Sequence, residues 1–318
     1  MKYILCLFLF VSGTSFSQDT FQKAVDYYQK EKFKEARPLF QEYLNSHPND
    51  AKTREYLGDI AGYMDEWDTA IEFFESLVSE EKNNANYQFK YGAALGMKAL
   101  SISKIRAVTY IGDIRDAFET SAKLDPNHID VRWALVEFYI QLPGIVGGSE
   151  AKAIKFANEL GKVSAVDGFL ANGYIAEYSD RPKDAEVFYK KAIKAGGSPH
   201  TYEKLATLYE NNNQPKQAIE TASKSLRIHK RNQLNYQIGK IAAQYNLELD
   251  FGVKCLQAYI QNHSVKDGVP LDWAYYRLAQ IYKNQGDKHQ AITWIDKALK
   301  NRPDFKEALQ ERQHILSL

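Results

Sequence analysis

Residues 51–84 read AKTREYLGDIAGYMDEWDTAIEFFESLVSEEKNN, and this stretch decides the fold. Leu57, Gly58 and Ala61 mark one run, and Ala70, Phe74 and Leu77 mark a second, each with the spacing of a buried helix face. Small residues at the Gly and Ala positions let two antiparallel helices approach closely. Large apolar residues at the other positions fill the space between one helix pair and the next. A single pair cannot cover its own apolar face, so pairs of this kind stack.

The signature recurs along the chain with a period near 34. Ala36, Phe40, Tyr43 and Pro48 carry it one period earlier, after Ala24 and Tyr27. Residues 166–197 repeat it as Gly173 and Ala176, then Ala185, Tyr189 and Ala192. Residues 199–231 give Tyr202, Leu205, Ala206 and Tyr209, then Ala218, Ala222 and Ser225. Residues 272–305 give Tyr275, Leu278, Ala279 and Tyr282, then Gly286, Ala291, Ile295, Ala298 and Pro303. Three copies are irregular: 85–128, with about ten extra residues around Ser101 to Ile111; 129–165, with a loop from Gln141 to Gly148 before the helix-capping Ser149; and 232–271, one residue out of register. The tail at about 304–316 keeps Phe305, Ala308, Leu309 and Ile315 on one face, which suits a capping helix. The expected architecture is all-α, about eight helix pairs and a C-terminal cap.

With 318 residues, 44% hydrophobic and 25% charged, the chain has globular composition, which excludes wholesale disorder. Its 41 Lys and Arg balance 40 Asp and Glu, so it lacks the net field of a nucleic-acid binder. Residues 1–17 differ from the rest. Met1-Lys2 is a positive start, Ile4 to Val11 an apolar run, and Ser15 and Ser17 precede Gln18 as small residues precede a cut. That is the anatomy of a signal peptide cleaved between Ser17 and Gln18, and it places the mature chain, 18–318, in the periplasm or the secreted space. No later segment reaches the length of a membrane-spanning helix. Past the leader, Cys255 is the only cysteine and reads as a small buried hydrophobe.

The repeat pattern resembles the tetratricopeptide-repeat (TPR) superfamily over residues 17–318. More narrowly, Phe138, Tyr139, Pro143, Gly144, Ile145, Gly147 and Gly148, after Leu124-Asp125-Pro126-Asn127, resemble a segment of secreted bacterial TPR proteins without an established activity. The resemblance implies a right-handed superhelical solenoid that binds a protein or peptide along a concave face lined by the first helices, with no catalysis, no cofactor and no metal. A clamp of Lys, Asn and Arg for a C-terminal carboxylate, used by many cytosolic relatives, is not what these positions carry: Glu55, Asp59, Phe89, Ala93, Trp133 and Glu137 stand there.

By repeat register the inward positions are Lys52, Glu55, Asp59, Tyr63, Phe89, Asp130, Trp133, Glu137, Asp167, Tyr174, Glu177, Tyr178, Glu203 and Glu210, then Tyr236, Lys240, Trp273, Tyr276 and Lys283. Acids outnumber bases among them, which suggests a groove for an extended basic or neutral segment anchored by Tyr and Trp. The other reading of the same residues is an ordinary solvated face with packing aromatics. The loop Pro143, Gly144, Gly147, Gly148 reads as a connector needing positive φ or as a partner contact, and it lacks the spacing of a phosphate loop. No motif for a metal, a nucleophile elbow or a carboxylate pair across a cleft occurs. A glycan- or peptidoglycan-acting enzyme, or a carbohydrate-binding module using the aromatic face, is the alternative.

Overall fold

A computed structural model describes the backbone of residues 9–318 and the side chains from residue 19 on, so the leader expected over 1–17 lies outside the residues described in full. Among the described residues every regular element is helical. Contacts divide the chain into two compact units, Met1–Val163 and Ser164–Leu318.

The first unit holds α1 (Leu9–Gln29), α2 (Phe33–Ser46), α3 (Ala51–Tyr63), α4 (Trp67–Glu80), α5 (Ala85–Ser101), the short α6 (Lys104–Ala107), α7 (Ile111–Leu124), α8 (Ile129–Gln141) and α9 (Glu150–Val163). Its hairpins are α1–α2, α3–α4, α5–α7 and α8–α9. The second unit holds α10 (Ala165–Tyr178), α11 (Pro182–Ala195), α12 (Pro199–Asn211), α13 (Pro215–His229), α14 (Asn232–Tyr245), α15 (Leu249–Gln261), α16 (Leu271–Asn284), α17 (Lys288–Asn301) and α18 (Lys306–Ser317). Here α10–α11, α12–α13, α14–α15 and α16–α17 form the hairpins, and α18 packs on α17 and α16.

Local chemistry explains where helices start and stop. Side chains of Asp50, Asn84, Ser164 and Ser198 accept from backbone N–H groups in the first turns of α3, α5, α10 and α12. Pro182, Pro199 and Pro215 open α11, α12 and α13, where a missing N–H costs nothing. One turn is used again and again between the two helices of a hairpin. In it the chain passes through left-handed φ at Glu31, Asp65, Asp180, Asn213 or Gly286. The next N–H then donates back to a carbonyl in the last turn: Lys32 to Tyr27, Glu66 to Ala61, Arg181 to Ala176, Gln214 to Tyr209 and Asp287 to Tyr282, at 2.8–2.9 Å. That is the Schellman closure of a helix end, and short polar residues reach its left-handed position with modest strain.

The hairpins close on small residues. A Cβ on Gly173 of α10 would lie 2.4 Å from the ring of Tyr189 of α11, and one on Gly239 of α14 would lie 2.3 Å from Leu256 of α15. Gly58 meets Phe74 and Gly92 meets Phe118 in the same way. Tyr189, Tyr139, Tyr259, Phe40 and Leu160 are the large side chains buried at these crossings and between hairpins. Cys255 is buried as expected, and its desolvated thiol is pushed up to about 11, the opposite of what a nucleophile needs.

Two glycine substitutions separate crowding from helix propensity. Gly173→Ala should lose about 1–2 kcal/mol, because steric strain against a ring held in the core outweighs the gain in propensity. Gly96→Ala, in α5 with nothing within 4 Å of the new methyl, should gain up to about 1 kcal/mol. Urea midpoints of the two variants beside the parent check both signs.

Candidate functional site

The first helices of each unit present the residues that sequence register points inward. In the first unit they converge on one lysine. Glu55 of α3 accepts from Lys52 at 2.8 Å, from Asn86 at 2.8 Å and from Lys90 of α5 at 2.7 Å. Lys90 also meets Asp59 at 2.6 Å, and the Tyr28 hydroxyl of α1 donates to the same carboxylate at 3.3 Å. Burial works against ionisation of Glu55, but the hydrogen bonds from Lys52 and Lys90 prevail and hold its carboxyl down to about 2. Asp59 moves the other way: burial raises it above the ordinary range despite Lys90, and Glu55 adds to the push. Two acids sharing one lysine divide in this manner.

Lys90 is the residue that register missed. It stands one position past Phe89, which was assigned inward, whereas Phe89 is half-buried against His128, 4.8 Å away, and Phe118. Its signal was available in another form, a cation about one repeat beyond two acids. Tyr63, at the end of α3, is 65% exposed and stacks at 4.5 Å on Phe33. On α8, Trp133 is half-buried and Glu137 exposed.

In the second unit the same rule holds. Glu177 of α10 accepts from the Tyr189 hydroxyl at 2.9 Å and from Asn211 of α12 at 3.2 Å. Glu210 of α12 pairs with Lys240 of α14 at 2.8 Å, and Lys283 of α16 pairs with Glu311 of α18 at 2.7 Å. Glu203, Glu210, Tyr236 and Lys240 line a shallow groove of about 420 Å³ between α12 and α14, with Arg231 and Gln237. Tyr178 is 53% exposed, with Tyr174 half-buried 6.3 Å away.

Three aromatic assignments change. Tyr236 and Tyr276 are buried, Tyr236 against Tyr259 and Tyr276 against Phe305. Trp273 packs edge-on to Phe305 at 4.6 Å and carries the guanidinium groups of Arg277 and Arg302 over its ring. These rings join α14, α16 and the cap rather than standing open, because the α18 end of the unit needs apolar cover.

The loop after α8 uses its own backbone. The N–H groups of Val146 and Gly148 donate to Pro143 O, Gly147 to Gly144 O, and Ser149 to Tyr139 O. These four N–H groups are engaged within the segment, so they are not free to hold an anion. Gly147 takes φ 102°, and a Cβ on Gly148 would lie 1.7 Å from Leu142 O. Ile145, at the tip, is 95% exposed.

Tetratricopeptide repeat family models match residues 21–87 and 274–305. A solved tetratricopeptide repeat protein from Parabacteroides merdae ATCC 43184 superposes with a TM-score of 0.52 at 13% identity, over 94% of this chain and 98% of that one. Residues 21–87 and 274–305 are thus tetratricopeptide repeats, and the superposition shows the fold of such a protein. TTC0263, a thermophilic TPR protein of Thermus thermophilus, has a TM-score of 0.41 at 15% identity, covering 77% of this chain and 99% of its own. The human "Protein O-mannosyl-transferase TMTC3" is 20% identical across 85% of this TPR chain, which spans only 30% of that protein's length. The TPR fold is that of a protein-binding scaffold. Among the described residues no helix is long and apolar enough to cross a membrane.

Glu55 makes the ionic network testable by pH. Its carboxyl titrates at about 2 in the fold against an ordinary 4.5, so its contribution is complete above pH 4.5 and drains away as pH falls through 2. Glu55→Gln should therefore cost on the order of 2 kcal/mol near neutral pH, and the gap to the parent should close as pH falls towards about 2. Urea midpoints measured across that range decide it.

Proposed function

We propose that this chain is an exported, non-catalytic adaptor that holds a protein or peptide segment on the faces of its first helices. The observation that carries the reading is the contrast on those faces between tied charges and open rings. Glu55, Asp59 and Glu210 are paired with lysines of the next first helix, so they do not draw in a ligand by net charge. Tyr63 and Tyr178 stand more than half exposed beside them. Exposed tyrosines flanked by fixed hydrogen-bonding groups are the composition of interface anchors, since a rigid ring offers large contact area at low entropic cost.

The occupant is accordingly a neutral or weakly charged segment that buries apolar or aromatic side chains, rather than the basic one suggested by counting acids. The groove at Glu203, Glu210, Tyr236 and Lys240 adds polar contacts of both signs. On the Pro143–Gly148 loop, exposed Ile145 supplies an apolar contact outside the helices. Export rests on the charged start, the Ile4–Val11 run and the small residues Ser15 and Ser17.

A photo-reactive phenylalanine placed at Tyr63 or Tyr178 should crosslink the same discrete protein in the native cell. The same group at Val187, exposed on the second helix α11, should not. Equal products from both sides would end the groove reading. For export, the mass of the chain recovered from cells should correspond to a first residue of Gln18, and an intact Met1 start would rule out the leader.

A further inference from the structure

Most exposed surface here follows from the repeat, but residues 97–108 do not. They prolong α5 to 17 residues, where α3 has 13, and then add α6 and a 3-10 turn before α7 begins. The α3–α4 hairpin closes without such a segment. Within this short stretch Met97, Leu100, Ile105 and Val108 are exposed, Leu100 at 78% and Ile105 at 87%. Exposed apolar side chains gathered in this way mark an interaction site.

The charges within the segment itself have one sign. No Asp or Glu occurs between Lys82 and Gly112. Lys104 and Arg106 flank Ile105 and are exposed, with no ion pair among the described residues. The neighbouring wall, the start of α4, brings acids that are mostly answered: Glu66 pairs with Arg37 at 2.7 Å and Asp68 with Lys98 at 2.7 Å, which leaves Asp65.

We infer that the α5–α6 insertion, through Leu100, Lys104, Ile105, Arg106 and Val108, is a docking surface for an anionic phospholipid bilayer. Apolar side chains and cations alternate along it. At a bilayer interface the first enter the acyl boundary while the second meet the phosphates. A protein helix would instead need a continuous apolar trough. The groove next to this segment, about 740 Å³, has Trp67, Met97 and Leu100 interrupted by Asp65, Asp68, Thr69 and Ser101. The contact is weak and reversible, as expected for a few apolar side chains and two cations.

Sedimentation of the full chain with vesicles tests this. It should bind vesicles of equal parts phosphatidylcholine and phosphatidylglycerol, not phosphatidylcholine alone, and release in high salt. Lys104→Glu/Arg106→Glu and Leu100→Ser/Ile105→Ser should each lower the bound-to-free ratio about tenfold or more, since each cation near a charged surface is worth about fivefold. Residues 1–17 are unchanged in the two double variants compared with the parent, so their own lipid affinity cancels in that comparison. A polarity-sensitive dye on Ile105→Cys, in a Cys6→Ser background where Cys255 is buried, should shift to the blue on the mixed vesicles. Equal binding by parent and variants, or an unmoved dye, overturns the inference. So does a patch whose variants change self-association or capture of an acidic peptide without changing lipid binding. None of these outcomes bears on crosslinking at Tyr63 and Tyr178.

Discussion

Two helices of a hairpin can close only where one of them gives up its side chain to the other, and the rest of this structure depends on that crossing. At Gly173 the ring of Tyr189 occupies the space a methyl would need. The ring then continues outward, and its hydroxyl donates to Glu177, four residues along the same first helix. One contact thus sets the interhelical distance, fills the core and fixes a carboxylate on the exposed face. Desolvation and the Glu177 charge push the Tyr189 hydroxyl well above the ordinary range, so it remains a donor throughout the physiological span. Packing and surface electrostatics are not separate layers in such a fold, because a side chain long enough to fill the crossing reaches the other side.

The ionic pairs follow from stacking. Adjacent first helices lie side by side, so residues about one repeat apart become neighbours: Asp59 with Lys90, Glu210 with Lys240, Lys283 with Glu311. Half-buried carboxylates at such seams would be costly unless paired, which is why the lysines are there. Arginine works differently at the foot of two hairpins. Arg54 and Arg132 sit four residues into α3 and α8, and both are buried. Arg54 holds both oxygens of Glu80, at 2.7 and 2.5 Å. Arg132 instead donates to the carbonyls of Ala122, Asp125 and His128, and Glu159 stays 3.9 Å from its Nε. The first closes a hairpin through charge, the second seals the negative end of α7.

The fold was legible because its determinants are local and repeated. Gly58 and Phe74, like Gly173 and Tyr189, are sixteen residues apart, Gly239 and Leu256 are seventeen, and the period exposes them. Which side chains stand open was less legible, because exposure depends on the neighbouring repeat. Phe89 and Lys90 are adjacent in sequence, and one helical step of about 100° decides that the lysine, not the ring, meets Glu55. Tyr276 and Trp273 occupy inward register like Tyr63 does, yet Phe305 of the cap covers them. The rings of Phe33 and Tyr28 lie beside Tyr63, which keeps an open face at 65% exposure. Counting acids on first helices likewise overstated the field, since the compensating lysines lay one repeat on.

Where the insertion falls decides whether it can act alongside the binding face. In the first unit Met97 to Ser101 share a groove with Asp65 to Thr69, the turn joining α3 to α4. That places the insertion at the ends of helices, on the edge where hairpins turn, whereas Glu55, Asp59 and Lys90 lie along the helix sides. An added segment at a turn edge leaves both the helix crossings and the side-by-side seams untouched, so the repeat tolerates it at little cost in stability. The same separation lets one unit rest its edge on a charged surface while the sides of its first helices remain available to a bound chain. A lengthened helix in the middle of the seam would have had to displace Lys90 from Glu55 and Asp59, leaving two half-buried carboxylates unanswered.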